Sequence, residues 1–381
     1  MRDMFILSLA VRGPFRGPSG YDHHVREFVR AMHRQGVAIE LSDQPGWTAV
    51  KLPDTARDPW FESLNQPVAA RIVLHFTTPQ YAYAWPEMRN ANFTMFEADR
   101  IPAEWVECHQ RHDLVILPTE SSREAWIRSG VPERKIRMCP LGVDANRFSG
   151  CVEPLDLKLD RRIRILNVSE LSPRKNLSGL LRAWIRATTR KDDAVLLMKT
   201  GGWTSGATAR FEAEIVQVEQ QLGKKLSDAA PVVFLREVLA DDNMPRLYRT
   251  ATHYMSVSFG EGWDQTMIEA AASGLRLIAP AHSAYLTYLD DASATLLPSR
   301  EVPVEFPGDT ATAALFQNAQ WWKPDEDAAV AAIVAAIEGR DLDKASPRER
   351  ILNEFSWAKA AARLIEILSD MDRPRWRRWF S

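Results

Sequence analysis

SVSFGEGWDQTMIEAAASGLRLIA, residues 256–279, is the stretch from which the fold reads outward. A strand-like run at 253–257 leads into it, and a buried strand at 275–279 closes it. Between them, 265–273 reads as a short helix, with Gly274 where a helix-ending glycine belongs. Glu261 and Glu269 stand eight positions apart on either side of the turn. A strand, a loop and a helix start make an anion-binding device, because backbone N–H groups there lack internal partners. Glu269 is too far along the helix to enter that anion hole, so its carboxylate is available to sugar hydroxyls.

Outward from this stretch, strand-like and helix-like segments alternate, which predicts parallel sheets covered by helices. In the first half, strands are expected at 4–10, near Ile39, and at 71–74, 92–96, 114–117 and 136–139. A glycine-rich loop at 13–20 opens a helix over 21–35, in which Val25, Phe28, Val29 and Met32 share one face. Ser121 and Glu124 read as a capping box for a helix stopped by Gly130. The pattern restarts with a strand at 163–168, a loop at 172–176 and a helix from Leu177. Further strands follow at 194–198, 232–235 and 253–257, and helices at 210–222, 242–249, 325–338 and 356–369. The span 291–320 reads as a loop insertion.

A chain of 381 residues is too long for one ordinary core. The expected division is a first α/β domain over 1–148, a linker over 149–160, a second over 161–350, and a C-terminal segment, 351–381, packing back on the first. A composition with 45% hydrophobic and 26% charged residues is that of a soluble globular protein, and the net charge of -2 argues against a dedicated nucleic-acid binder. Cys108, Cys139 and Cys151 show no metal-ligand spacing and read as reduced thiols. The apolar run at 4–10 is too short for a membrane span and poor for a signal peptide. The expected location is cytoplasmic.

Taken together, several segments resemble the retaining GT-B glycosyltransferases of family four, the group 1 type. They are VSELSPRKNLSGLLRAW (168–184), FLREVLADDNMPRLYRTA (234–251) and SFGEGWDQTMIEAAASG (258–274), in the family's order. ILPTESSREAWIRSGVPERKIRMCPLGVDANRF (116–148) looks like the family's last strand–helix–strand and hinge. FTMFEADRIPAEWV (93–106) looks like the subset with an FExDR-type segment. The resemblance implies two Rossmann-like doubly wound domains with an interdomain cleft. It also implies transfer of a sugar from a nucleotide diphosphate, UDP- or GDP-linked, to a hydroxyl of a glycan or lipid-linked acceptor.

Such a transfer builds negative charge on the leaving diphosphate, and something positive must meet it. The resemblance implies that Arg174 and Lys175 of the SPRKN loop grip the diphosphate, that Glu269 binds the ribose and that Glu261 acts near the donor sugar. Trp263, Asp264, Gln265 and Thr266 would bring backbone N–H groups and side chains to sugar and phosphate. Many relatives carry a small or apolar residue at Asp264, so donor choice turns on that position. Read without the family, Arg174 and Lys175 are two solvated cations and the glutamates two helix-flanking acids.

Gly13, Gly17 and Gly20 surround the first strand–helix turn but do not form GxGxxG. Gly20 is expected near the donor phosphates. Glu97 and Asp99 follow a strand where many relatives place a histidine. Glu97 would orient the acceptor hydroxyl or take its proton, or either acid is structural. His75 reads as a core histidine first, and His23 and His24 stay unassigned. Asp341-Leu342-Asp343 and Asp370-Met371-Asp372 read as solvated faces, so no metal or other cofactor is expected. The tail RPRWRRWFS (373–381) reads either as a membrane-surface contact or as a segment packed on the first domain. The rivals are a sugar phosphorylase, a sugar-phosphate-accepting synthase, and a degenerate member that binds sugar or a partner glycosyltransferase without turnover.

Overall fold

Strands that are apolar on both faces have to be covered on both faces, and the computed structural model shows how this chain does so. It describes residues 7–373 apart from 48–49, 150–151, 202–203, 238 and 308. The chain divides into two units, Met1–Gly142 with Glu354–Ser381, and Val143–Asn353.

The first unit runs β1 (Ser8–Arg12), α1 (Gly20–Arg34), β2 (Ala38–Ser42), α2 (Trp60–Ser63), β3 (Ile72–Phe76), β4 (Arg89–Phe93), α3 (Ala103–Gln110), β5 (Leu114–Leu117), α4 (Glu120–Arg128) and β6 (Ile136–Met138). Its sheet has the order β2-β1-β3-β4-β5-β6, and every neighbouring pair is parallel. Ser19 caps α1 by accepting from Asp22 N. Val25, Phe28, Val29 and Met32 are fully buried, as the 3.6-residue period requires.

In the second unit come α5 (Ala145–Ser149), β7 (Ile163–Glu170), α6 (Leu177–Ala187), β8 (Ala194–Gly201), α7 (Ser205–Leu222), β9 (Val232–Leu235), α8 (Met244–Thr250) and β10 (His253–Met255). They are followed by α9 (Gln265–Ala272), β11 (Arg276–Pro280), α10 (Tyr285–Tyr288), β12 (Thr295–Leu297), β13 (Ser299–Pro303), α11 (Thr310–Leu315), β14 (Gln320–Pro324), α12 (Glu326–Glu338) and α13 (Arg348–Glu354). The order β12-β11-β10-β7-β8-β9 is again all parallel, and β13 and β14 form a separate antiparallel pair. Leu180, Leu181 and Trp184 of α6 pack with Phe211 of α7 and Ile333 of α12 in one core.

The last helix, α14 (Trp357–Asp372), returns to the first unit. The Trp357 ring meets Phe28 of α1 at 5.3 Å, and Gln35 Nε2 donates to Ala358 O at 2.8 Å. The chain passes so close here that a Cβ on Gly142 would lie 2.4 Å from Trp357 N. Two backbones that near each other admit only glycine.

Several expectations need correction. The break between units falls after Gly142 and not after 148, because α5 belongs to the second unit. Residues expected as a linker pack on α8, where Leu155 N donates to Thr250 Oγ1 at 3.0 Å. The cap of α4 is Thr119, which accepts from Ser122 N, and Glu124 is exposed. β5 ends at Leu117, so the cap falls two residues before the expected one. The span 291–320 is not a plain loop. It holds β12, β13 and α11, and the pairing of β13 with a strand far along the chain has no local signature. Asp341 is no solvated acid: its carboxylate pairs with His253 Nε2 at 2.8 Å, and both are buried or nearly so. The first strand is Ser8–Arg12, and residues 4–6 of the expected one lie outside the described residues, as does the tail beyond Arg373.

Candidate functional site

In the second sheet β7 is central, β8 and β9 lie on one side, and β10, β11 and β12 on the other. The winding reverses between β7 and β10, and ligands of doubly wound sheets sit outside the strand ends at such a reversal. The loops leaving there are Leu171–Asn176 after β7 and Ser256–Asp264 after β10. They are stitched together: Phe259 N donates to Arg174 O at 2.8 Å, and Asn176 Nδ2 to Val257 O at 3.1 Å. Asn176 reaches this position in the left-handed region, at φ 52°, which asparagine tolerates better than most residues.

The stitching brings Arg174, Lys175 and Glu261 into one cluster. Lys175 Nζ lies 2.6 Å from Glu261 Oε1, and Arg174 Nη1 lies 2.9 Å from Oε2. Arg174 Nη1 also donates to Gly260 O at 2.7 Å. Glu261 is 5% exposed. Burial alone would raise its pKa, but Arg174 and Lys175 overcome it and hold the carboxyl down to about 2. Three charges that the sequence suggested separately are thus one preorganised group, with two cations sharing one carboxylate.

Asp264 is the N-cap of α9, at φ 59°. Its Oδ1 accepts from Met267 N at 3.3 Å, and Tyr285 OH donates to Oδ2 at 2.7 Å. The Thr266 hydroxyl sits 2.8 Å from Asp264 Oδ1 and 3.1 Å from Val168 O. Burial, with Glu261 adding, raises the Asp264 pKa. The helix start that the sequence suggests for an anion therefore already carries a carboxylate of the chain itself. Asp264→Ala should cost about 2 kcal/mol, since it removes the cap and puts alanine in a left-handed conformation. Urea unfolding reads this directly, and an unchanged midpoint would show that the cap does not position α9.

Glu269 lies inside α9 and is 6% exposed. Tyr248 OH donates to its Oε2 at 2.9 Å, and Gln265 Nε2 to its Oε1 at 3.4 Å. Trp263 is buried against Tyr288 at 5.3 Å, and Tyr288 OH donates to Trp263 O at 2.9 Å. Tyr248, Tyr254, Tyr285 and Tyr288 are all fully buried. The Tyr254 hydroxyl lies 2.6 Å from Thr266 Oγ1, so each of the four phenols holds the α9 segment. Sequence reading missed all four, because tyrosines scattered over 248–288 carry no spacing signal. Burial pushes each phenol pKa well up, so they stay protonated donors.

Gly20 and Glu97 belong to the first unit. Gly20 is the first residue of α1, and a Cβ there would meet nothing within 4 Å among the described residues. Gly13 differs: a Cβ would lie 2.9 Å from Phe76 Cβ. The loop between them is pinned by buried side chains. Gly17 N donates to Asp22 Oδ1 at 2.6 Å, and Arg26 Nη1 to Gly17 O at 2.8 Å. Met95 N donates to Tyr21 OH at 3.2 Å, which sets the exit of β4 beside the start of α1. Glu97 is half-buried on that exit, whereas Asp99 pairs with Arg100 and Arg128. His75 is a core histidine, with burial lowering its pKa to about 3.

Residues 162–310 match the family described as Glycosyl transferases group 1. Mannosylfructose-phosphate synthase of Agrobacterium fabrum is 27% identical over 176 residues, which is 45% of this chain and 38% of that protein. The match thus spans well under half of the curated relative. Among solved structures, HepE of Anabaena in complex with UDP and glucose has a TM-score of 0.68 at 14% identity, over 96% of this chain and 100% of that one. The sucrose-phosphate synthase of Thermosynechococcus elongatus has a TM-score of 0.64 at 16% identity, over 96% and 99%. Both sheets wind as Rossmann-like units. Residues 162–310 are thus similar to the glycosyl transferases group 1 family, and the chain as a whole has the GT-B fold.

Proposed function

We propose that the protein is a retaining glycosyltransferase that moves a hexosyl group from a nucleotide diphosphate to a hydroxyl of a glycan or lipid-linked acceptor. The observation that carries this reading is the Arg174–Glu261–Lys175 cluster at the reversal of the second sheet. In this reading its two cations, already oriented by their shared carboxylate, meet the leaving diphosphate at the strand ends. The solved structure of HepE with UDP and glucose supports a UDP-linked donor.

In this reading Glu269, braced by Tyr248, accepts hydrogen bonds from the ribose hydroxyls. Arg174 and Lys175 meet the charge that grows as the bond from sugar carbon to phosphate oxygen breaks. Glu261 faces the developing positive charge of the sugar. The acceptor oxygen forms the new bond on the same face, and its proton leaves with the phosphate oxygen. Glu97 orients that hydroxyl. The two cations take the part a metal ion plays in other transferases.

A thermal-shift screen of UDP- and GDP-sugars tests the donor class, and proton NMR of the product reads the anomeric outcome. A donor that raises the melting temperature and gives product of unchanged anomeric configuration is expected. If no nucleotide sugar shifts the melting temperature, or the product is inverted, the reading fails.

A further inference from the structure

The β13–β14 hairpin carries a charge arrangement that the site above leaves unused. In its register Arg300 stands directly opposite Lys323, and Val302 opposite Trp321. Like charges opposed across an antiparallel pair destabilise it. Among the described residues, neither cation has a carboxylate within ion-pairing distance.

The same hairpin face lines a cavity of about 430 Å³. Arg210 of α7 adds a third cation to its wall. Phe259 and Trp321, stacked at 5.6 Å, supply an apolar surface. Trp321 is 2% exposed, and among the described residues its indole N–H has no acceptor. A buried donor left unmade costs about 1–3 kcal/mol, so an acceptor placed there is rewarded. Glu214 and Glu305 also line the space, and carboxylates among aromatic rings suit hydroxyl groups. Neither Arg174, Lys175, Glu261, Asp264 nor Glu269 lines this cavity.

The cavity is nonetheless wired to the site. Trp322 N donates to Phe259 O at 2.8 Å, and the His282 ring stacks on Trp322 at 5.5 Å. Phe259 N is the donor to Arg174 O. An occupant would therefore touch, at Phe259, the loop that carries Glu261.

We propose that this cavity binds an anionic saccharide, a sugar ring bearing a carboxylate or a phosphate, whose charge is met by Arg300, Lys323 and Arg210. Three cations select the sign of the ligand. The aromatic wall, the orphan indole and the two carboxylates fit a ring with hydroxyls better than a bare ion.

Isothermal titration of the full chain tests this, with glucuronate and glucose 6-phosphate as probes and glucose and inorganic phosphate as controls. Both anionic sugars should bind saturably, and the double variant R300Q/K323Q should weaken both by about tenfold or more. Binding of UDP should be unchanged in that variant, so the donor reading and this one fail independently. The single variant K323Q should melt no lower than the wild type without ligand, since it removes an opposed like charge. Absence of saturable binding by either anionic sugar, or equal binding in the double variant, would overturn the proposal. Inorganic phosphate binding as tightly as glucose 6-phosphate would also overturn it, as a bare anion site.

Discussion

Lys175→Ala should lower kcat/KM for the donor by about 10²–10³-fold, the usual cost of losing one preorganised charge at a leaving group. The fold should survive, because Arg174 Nη1 still lies 2.9 Å from Glu261 Oε2 and keeps the buried carboxylate paired. Activity and stability therefore separate in this variant. Steady-state kinetics with the donor found by screening, beside a urea titration, measures both. Transfer close to the wild-type rate would remove Lys175 from the chemistry and with it the role assigned to the cluster. A lost rate with an equally lost unfolding midpoint would mean that the residue is structural.

Glu261→Ala should do the opposite to the balance of charges, and destabilise the second unit by about 3–5 kcal/mol. Here two cations, Arg174 and Lys175, with side chains 11% and 15% exposed, lose their shared partner at once. The pH dependence carries the signature. The folded carboxyl titrates at about 2 against an ordinary value of 4.5. A carboxyl lowered on folding stabilises above its unfolded pKa, and that contribution fades as pH falls toward the folded value. The stability gap between wild type and Glu261→Ala should thus be full at neutral pH and shrink between pH 4.5 and about 2. Asp264 acts in the other direction: burial raises its pKa in both proteins, and the part that Glu261 adds is absent from the variant. A gap that stays constant over that window would show that the ion pair does not set the stability of the loop.

Strands such as 114–117 and 194–198 appear where their unbroken apolar runs put them, because a residue buried on both faces of a parallel sheet leaves no other composition. The α1 face was legible because four apolar side chains share one side of a helix. By contrast, the cap of α4 depended on where β5 ends, and β13–β14 depended on a partner distant in sequence. Asp341 shows the same limit: in the chain it looks like one of two acids on a surface, and only the fold brings it to His253.

For the site, the family resemblance of the segments 168–184 and 258–274 named Arg174, Lys175, Glu261 and Glu269, since without it they read as solvated cations and helix-flanking acids. Their association was not local. Eighty-six positions separate Lys175 from Glu261, and the parallel pairing of β7 with β10 closes that distance. The tyrosines at 248, 254, 285 and 288 had no signal at all, because a hydroxyl's value as a brace depends on what it meets once buried. Asp264 changed meaning most: the sequence offers it as a chooser of donor, and the fold uses both its oxygens to cap α9 and hold Tyr285. The sequence by itself therefore determined which elements form and which charges are available, since periodicity, capping and loop chemistry act over a few residues. Only the tertiary structure decided which charges neutralise one another and which acids are already spent, because those depend on strand order and burial.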